Sequence, residues 1–274
     1  ELLGGNCRHK IRLHLLVGQP SPGAMYKAAK DAVAEGFTAI KFDPLVDGYQ
    51  DMTQDQLIKS VCEMVDATRE GGGSGLDLIV ELHRKLTPMN SVALAEALTK
   101  FNLYFIEDPI QIDSIISQAE MAKRINIPIG NGERLTTIWE FRELLETGGP
   151  QYVRPDVALA GGLTHCKKIS AIAESYHSAV VVHNFLGPLI TAASLHLDTC
   201  IPNFITQEYT KDDESDRYAY FTTSYQRQGG YIPIPEVPGL GDELDERLLS
   251  QTPFESMNTT GVPLREDGSL AYSV

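Results

Sequence analysis

The segment NLYFIEDPI, residues 102–110, is apolar until it reaches Glu107, Asp108 and Pro109. A charge in an apolar interior must be paired or bound to a cation, so the two carboxylates closing this run need a partner. The same kind of ending recurs. Lys41 and Asp43 fall in TAIKFDP (38–44), Glu81 and His83 in DLIVELH (77–83), and Glu133 and Arg134 in IPIGNGER (127–134). Arg154 and Asp156 fall in YVRPDVAL (152–159), His183 and Asn184 in AVVVHNF (179–185), and Glu208 in FITQEY (204–209). A lone Glu at the end of such a run is more often a solvated loop residue, and a lone His after AVVV more often a hydrogen-bonded core residue. Seven successive runs that each deliver an ionisable group to one end are different, because chance would populate both ends.

Glu81, Glu107 and Glu133 come from three successive runs. Three converging carboxylates repel and cannot all ionise unless a cation neutralises them. Oxygen-only ligation selects Mg²⁺, with Mn²⁺ as the alternative, over zinc. Alternation along a strand puts Glu81 and His83 on the same face of their strand, and does the same for Lys41 and Asp43. Asp156 and His183 belong to neighbouring strands, which lets a carboxylate orient an imidazole and raise its basicity. A metal with a base on one side and a polar His on the other suits abstraction of a proton next to a carboxylate.

These residues have to be positioned by a frame. Eight strand-like runs, the seven above and IRLHLLV (11–17), are rich in β-branched and aromatic residues. Between them lie helical segments. PGAMYKAAKDAVAEG opens with Pro and closes with Gly, and TQDQLIKSVCEMVDATREGGG opens with Thr53 as an N-cap. SVALAEALTKF, IISQAEMAKRIN, TIWEFRELLETGG and THCKKISAIAESYH carry apolar residues at three- and four-residue spacing. Strands alternating with helices at a period of about 25 residues fit βα units. In a chain of 274 residues, they predict an α/β protein of the TIM-type (β/α) barrel class, with chemistry at the C-terminal ends of the strands. An open doubly wound sheet is the rival, but no G-x-G-x-x-G follows an early strand. After Tyr209 the alternation stops: TKDDESD reads as a charged loop, and the residues beyond as turn-rich and briefly helical.

Composition narrows the partners. Hydrophobic residues make up 42% of the chain, enough for a sizeable core. The net charge of −14 argues against nucleic acid and anionic membrane surfaces. An anionic substrate would therefore need a local positive centre. Cys7, Cys62, Cys166 and Cys200 are scattered, which reads as free thiols and a cytoplasmic setting. No apolar run reaches the roughly 18 residues of a membrane helix.

The stretches GFTAIKFDP, LIVELHRKLTP, YFIEDP, IPIGNGERL, VRPDVALAGGLTHCKKI, VVVHNFLGP and NFITQE together resemble the barrel domain of the enolase superfamily. The resemblance is to its mandelate racemase/muconate lactonizing enzyme group, and within that to the sugar-acid dehydratases. It implies a (β/α)7β barrel over residues 1–245. Glu81, Glu107 and Glu133 would be Mg²⁺ ligands, His183 paired with Asp156 the general base, and His83 the general acid for the departing β-hydroxyl. Glu208 would lie near the substrate carboxylate, with Arg134, Asp43 and Asn184 as further substrate-binding candidates. Lys41 would neutralise charge near metal or substrate, and is the next candidate base. The reaction implied is dehydration of a sugar acid of the galactonate, gluconate or mannonate class, through a metal-stabilised enediolate, to a 2-keto-3-deoxy acid. The alternatives are an α-carbon epimerisation, or a metal-binding barrel of little activity. The first ligand is often Asp in this group and is Glu81 here; a second strand-2 lysine is replaced by Asp43, which disfavours a two-base racemase. Relatives of this kind carry an N-terminal capping domain, so this chain is expected to lack one, with residues 246–274 as the segment that would pack on it. A homo-oligomer is expected.

Overall fold

The computed structural model describes residues 2–111, 114–223, 225–253, 256 and 264–271. Residues 246–274 therefore lie partly outside the described residues. Eight parallel strands run in chain order: β1 Lys10–Leu16, β2 Ala39–Phe42, β3 Asp77–Glu81, β4 Phe105–Glu107, β5 Ile129–Asn131, β6 Tyr152–Val153, β7 Ala179–Val180 and β8 Gln207–Tyr209. Each pairs with the next from β1 to β7, and β8 pairs with β1 through Leu13–Gln207, His14–Glu208 and Leu15–Tyr209. The ring closes just ahead of β8, where Val180 bridges Phe204 and the Ile205 N–H donates to the Val180 carbonyl. Seven helices connect the strands: α1 Pro22–Ala34, α2 Gln54–Gly72, α3 Pro88–Leu98, α4 Ile115–Ala122, α5 Ile138–Glu146, α6 Gly162–Ser175 and α7 Pro188–Cys200. The architecture is the (β/α)7β barrel that the sequence predicts. Among the described residues no helix is long and apolar enough to cross a membrane.

Helix starts are set locally. Ser21, Thr53, Thr87, Ser114 and Thr137 each accept a backbone N–H in the first turn. Thr53 with Gln56, and Thr137 with Glu140, complete reciprocal capping boxes. Outward-facing strand residues such as Leu13, Ile40, Leu78, Val80 and Ile106 pack beneath the helices in the main core. Inside the barrel a smaller apolar layer holds Ile79, Phe105 and Val181, with Tyr104, Tyr152 and Ile205 against it. Alternation then points the residues two positions further on into the barrel above this layer: Glu81 after Ile79, Glu107 after Phe105, Arg154 after Tyr152, His183 after Val181.

Three features depart from the sequence reading. The late strands are much shorter than the runs 152–159 and 179–185. Pro155 has no N–H to continue the β6 ladder, so Asp156 and His183 meet beyond the regular strands as an isolated bridge. Helix α7 carries no one-sided apolar stripe, because both its apolar and its polar positions are buried, among them Thr191, Ser194, Leu195, Leu197 and Asp198. After β8 the chain is more ordered than a loop: β9 Phe221–Thr223 pairs with β11 Asp242–Leu244, and β10 Tyr231–Pro233 runs antiparallel to β1, while α8, Glu246–Gln251, is the brief helix expected there. Strands of three residues leave too little sequence for a period to show.

Helix α7 also buries a carboxyl, that of Asp198, whose oxygens have no hydrogen-bond partner among the described residues. The Arg8 side chain spends its bonds on main-chain carbonyls, those of Asp198 and Ile201. Burial raises the Asp198 carboxyl well above its usual range, against the pull of Arg8. A carboxyl raised in the folded state favours folding below its unfolded pKa of about 3.9, and that contribution is lost as pH climbs through the folded value. Asp198→Asn is therefore expected to melt at a higher temperature than the parent at pH 7, with the gap closing towards pH 4. Calorimetry across that range checks it; equal melting temperatures at pH 7 would show that the buried charge is compensated.

Candidate active site

Glu81, Glu107 and Glu133 are all buried, and one carboxylate oxygen of each lies within 4.8 Å of the others. Adjacent pairing of β3 and β4 sets Glu81 directly beside Glu107. Glu133 arrives differently. Gly130 faces inward, where a Cβ would meet the Phe105 ring and Arg154, whereas a Cβ on Gly132 would meet Phe141 of α5. With φ +126° at Gly132, a conformation that favours glycine, the alternation is reversed and the next residue, Glu133, turns to the site.

Below the triad lies a lattice of opposite charge. Lys41 Nζ is 3.2 Å from Glu81, 3.1 Å from Glu107 and 2.7 Å from Glu208. Arg154, fully buried, reaches Glu107 through Nε at 2.5 Å and Glu208 through Nη2. On the other flank Arg84 Nη1 lies between Asp108 at 2.5 Å and Glu133 at 2.7 Å. Five buried carboxylates thus face three buried cations, a deficit of two charges. A divalent cation would cancel it, so the donor set of oxygens and the net charge both fit a hard metal ion. The titration pattern agrees. Burial raises Glu81, but Lys41 and His83 outweigh it and hold its carboxyl well below the usual range. Burial lifts Glu107 well above that range, with Arg154 opposing and Glu81 adding to the rise. Burial also works on Glu208, where Lys41 and Arg154 prevail and keep it low.

Two histidines flank the triad. His183 Nδ1 is 2.7 Å from Asp156, while Nε2 faces Glu133 at 3.4 Å. His83 Nδ1 is 2.7 Å from Asp43, which also takes Lys85 Nζ at 2.6 Å. The His83 backbone N–H donates to Glu81 Oε1 at 2.8 Å. Burial lowers the His83 imidazole, but the bond to Asp43 and the charge of Glu81 raise it further than that, for a net rise. His83 at φ +47°, Arg84 at φ +62° and Asp108 at φ +39° are left-handed non-glycine residues at neighbouring strand ends. Such strain persists only where the surroundings over-determine it.

The residues expected from sequence are distributed as follows. The triad, Lys41, Asp156 and His183 converge, and His83 with Asp43 closes one side. Glu208 is buried beneath Lys41 and Arg154, and its Oε2 accepts the Asn184 N–H at 3.2 Å. The Asn184 side chain turns away from the triad, donating to Thr191 Oγ1 at 2.7 Å. Arg134 is half exposed, with Nε 3.6 Å from Glu133. Arg84, Asp108 and Arg154 are site residues not singled out for a role in the sequence. Arg154 was within reach of the alternation rule, two residues after Tyr152. Arg84 was not, because alternation points it away from the site and only the left-handed turn brings it back.

A model of the enolase C-terminal domain-like family matches residues 24–248. The chain is 30% identical to a D-gluconate/D-galactonate dehydratase of Picrophilus torridus, over 94% of the chain and 66% of that protein. It is 31% identical to a D-galactonate dehydratase of Ralstonia pickettii, over 99% of the chain and 72% of that protein. The chain thus spans about two thirds to three quarters of the length of these relatives. Among solved structures, a member of the enolase superfamily from Salmonella Typhimurium superposes with a TM-score of 0.87 at 28% identity, covering 92% of this chain and 70% of that one. A mandelate racemase/muconate lactonizing enzyme from Jannaschia sp. CCS1 gives 0.86 at 28% identity, covering 93% and 69%.

The charge lattice makes a contrast that can be measured. Removing one partner of a buried ion pair leaves the other uncompensated, at a cost of about 3–5 kcal/mol. Arg154→Met should lose about that much in urea unfolding, because Glu107 and Glu208 both lose a partner. Arg134→Gln, at a half-exposed position, should stay within about 0.5 kcal/mol of the parent. Equal effects from the two would show that Arg154 is not holding the lattice together.

Proposed function

The chain belongs to the enolase C-terminal domain-like family, and from that premise we propose that it is the catalytic barrel of an Mg²⁺-dependent sugar-acid dehydratase. Residues 1–245 form the barrel domain in this reading. The substrate is an acid of the gluconate/galactonate class and the product a 2-keto-3-deoxy acid. The observation that carries the reading is the pair of carboxylate-held histidines on two sides of the acidic triad. The names borne by the relatives support the substrate class.

Glu81, Glu107 and Glu133 would hold the ion. When bound, it supplies Lewis-acid stabilisation of the negative charge that builds on the substrate carboxylate. The remaining work falls to side chains. Asp156 accepts from His183 Nδ1, which fixes the ring and leaves Nε2 as the proton acceptor. His183 Nε2 takes the proton from the α-carbon. His83, held by Asp43 through Nδ1, gives a proton from Nε2 to the β-hydroxyl, which departs as water. The enol that remains tautomerises to the 2-keto acid. Lys41 and Arg154 keep the carboxylates of the floor in register throughout, and Glu208 is the anion that holds these two cations together.

Two measurements test this. Mg²⁺ should stabilise the fold by mass action, by about 2.7 kcal/mol at a hundred times its Kd, seen as a higher melting temperature, and Glu107→Gln should lose that gain. An undiminished shift in Glu107→Gln would place the ion elsewhere.

In heavy water, His183→Asn should lose α-proton exchange by roughly 10²–10⁴-fold. His83→Asn should keep exchange and lose the semicarbazide-reactive product. Exchange surviving in His183→Asn would move the base to another residue, Lys41 first. Exchange without any keto product in the parent would point to epimerisation instead.

A further inference from the structure

Arg84 stands out among the residues around the triad. Its backbone is left-handed at φ +62°, next to His83 at φ +47°. A non-glycine residue there marks a place where the surroundings impose a conformation. The imposed conformation turns the guanidinium under the carboxylates. Nη1 lies 2.7 Å from Glu133 Oε1 and 2.5 Å from Asp108 Oδ2. Asp108 is itself fixed, because its Oδ1 accepts from Asn131 Nδ2 at 2.8 Å and its carbonyl accepts the Arg84 N–H at 2.7 Å. The other Glu133 oxygen, Oε2, lies 3.4 Å from His183 Nε2. Oε1 is thus the oxygen held by cations, Arg84 Nη1 at 2.7 Å and Arg134 Nε at 3.6 Å, and Oε2 is bonded to neither.

We propose that Arg84 is a positioning residue for the metal site: anchored by Asp108 and Asn131, it holds Glu133 Oε1 so that Oε2 is presented as the third ligand oxygen. The inference rests on the reading of Glu81, Glu107 and Glu133 as a metal site. It also fixes a sign. If Arg84 acted only as a nearby positive charge, removing it would tighten the binding of a cation. If it orients a ligand, removing it weakens binding by roughly 10–100-fold, the usual effect of losing a partner that orients a metal ligand.

The test is titration of the metal-free full chain with Mn²⁺ alone, read as free Mn²⁺ by electron paramagnetic resonance. Arg84→Gly is the informative variant, because glycine accepts φ +62° without strain and the fold has a local reason to survive. Its melting curve in chelator, compared with the parent's, checks that survival. The expected result is one high-affinity Mn²⁺ site in the parent, lost on Glu107→Gln and weakened about 10–100-fold in Arg84→Gly. Arg84→Lys, which keeps the charge, should recover part of the loss. Unchanged or tighter binding in Arg84→Gly overturns the positioning role while leaving the metal site standing. No Glu107-dependent site in the parent overturns the metal reading and this inference with it. If Arg84→Gly melts far below the parent, Arg84→Lys decides: binding weaker than the parent's supports the clamp, and parent-like binding overturns the need for its geometry.

Discussion

The site depends on a charge imbalance held in a dry place. Asp108, Glu81, Glu107, Glu133 and Glu208 are buried, and among the described residues the buried cations that face them are Lys41, Arg84 and Arg154. Each cation touches at least two carboxylates, so none can be withdrawn without exposing more than one charge. Isolated buried ions are too costly to keep. The lattice is therefore either neutralised by a further cation or relieved by protonation, and the opposite shifts of Glu81 and Glu107 mark where that choice falls. Strain at His83, Arg84 and Asp108 sits at the same place. The barrel tolerates both because its apolar layers, inside and outside the strands, are complete beneath them.

Much of this was legible in the sequence, for a physical reason. A strand has a period of two, so once Ile79, Phe105 and Val181 are taken as one interior layer, Glu81, Glu107 and His183 follow as the next. Parallel pairing keeps strand ends level, which is why ionisable groups at the ends of seven runs read as one cluster. Strand order and the number of strands followed from the alternation with helices. Thr53 could be read as a cap because its oxygen has a local task that needs no tertiary context.

What was not legible comes from places where one residue breaks a period. Gly132 reverses the alternation, so Glu133, expected in the triad from its place at the end of a run, gets there by a turn that a regular strand does not make. Arg84 reaches Glu133 through two left-handed residues in succession, an uncommon conformation for any residue but glycine. Pro155 ends β6 after two residues and leaves Asp156 and His183 to pair by a single bridge. Helix α7 is hidden for the opposite reason. Most of it is buried, polar positions such as Thr191, Ser194 and Asp198 included, and a helix without a distinct polar face has little moment to detect.

The two histidines look equivalent in sequence, each followed through space by an aspartate at 2.7 Å. Their surroundings separate them. The His183 side chain is 8% exposed and its aspartate is fully buried, whereas His83 is 35% exposed and shares its aspartate with Lys85. Asp156 fixes the His183 ring from a dry setting and is itself held by the Ala158 and Leu159 N–H groups. Against the effect of burial, the bond to Asp43 and the charge of Glu81 raise His83, and an imidazole open to solvent can be reprotonated between turnovers. In the proposed reaction the proton is taken on the enclosed side and water leaves on the open one. That arrangement keeps the step that builds charge away from solvent, and it puts the water at the face of the site from which it can escape.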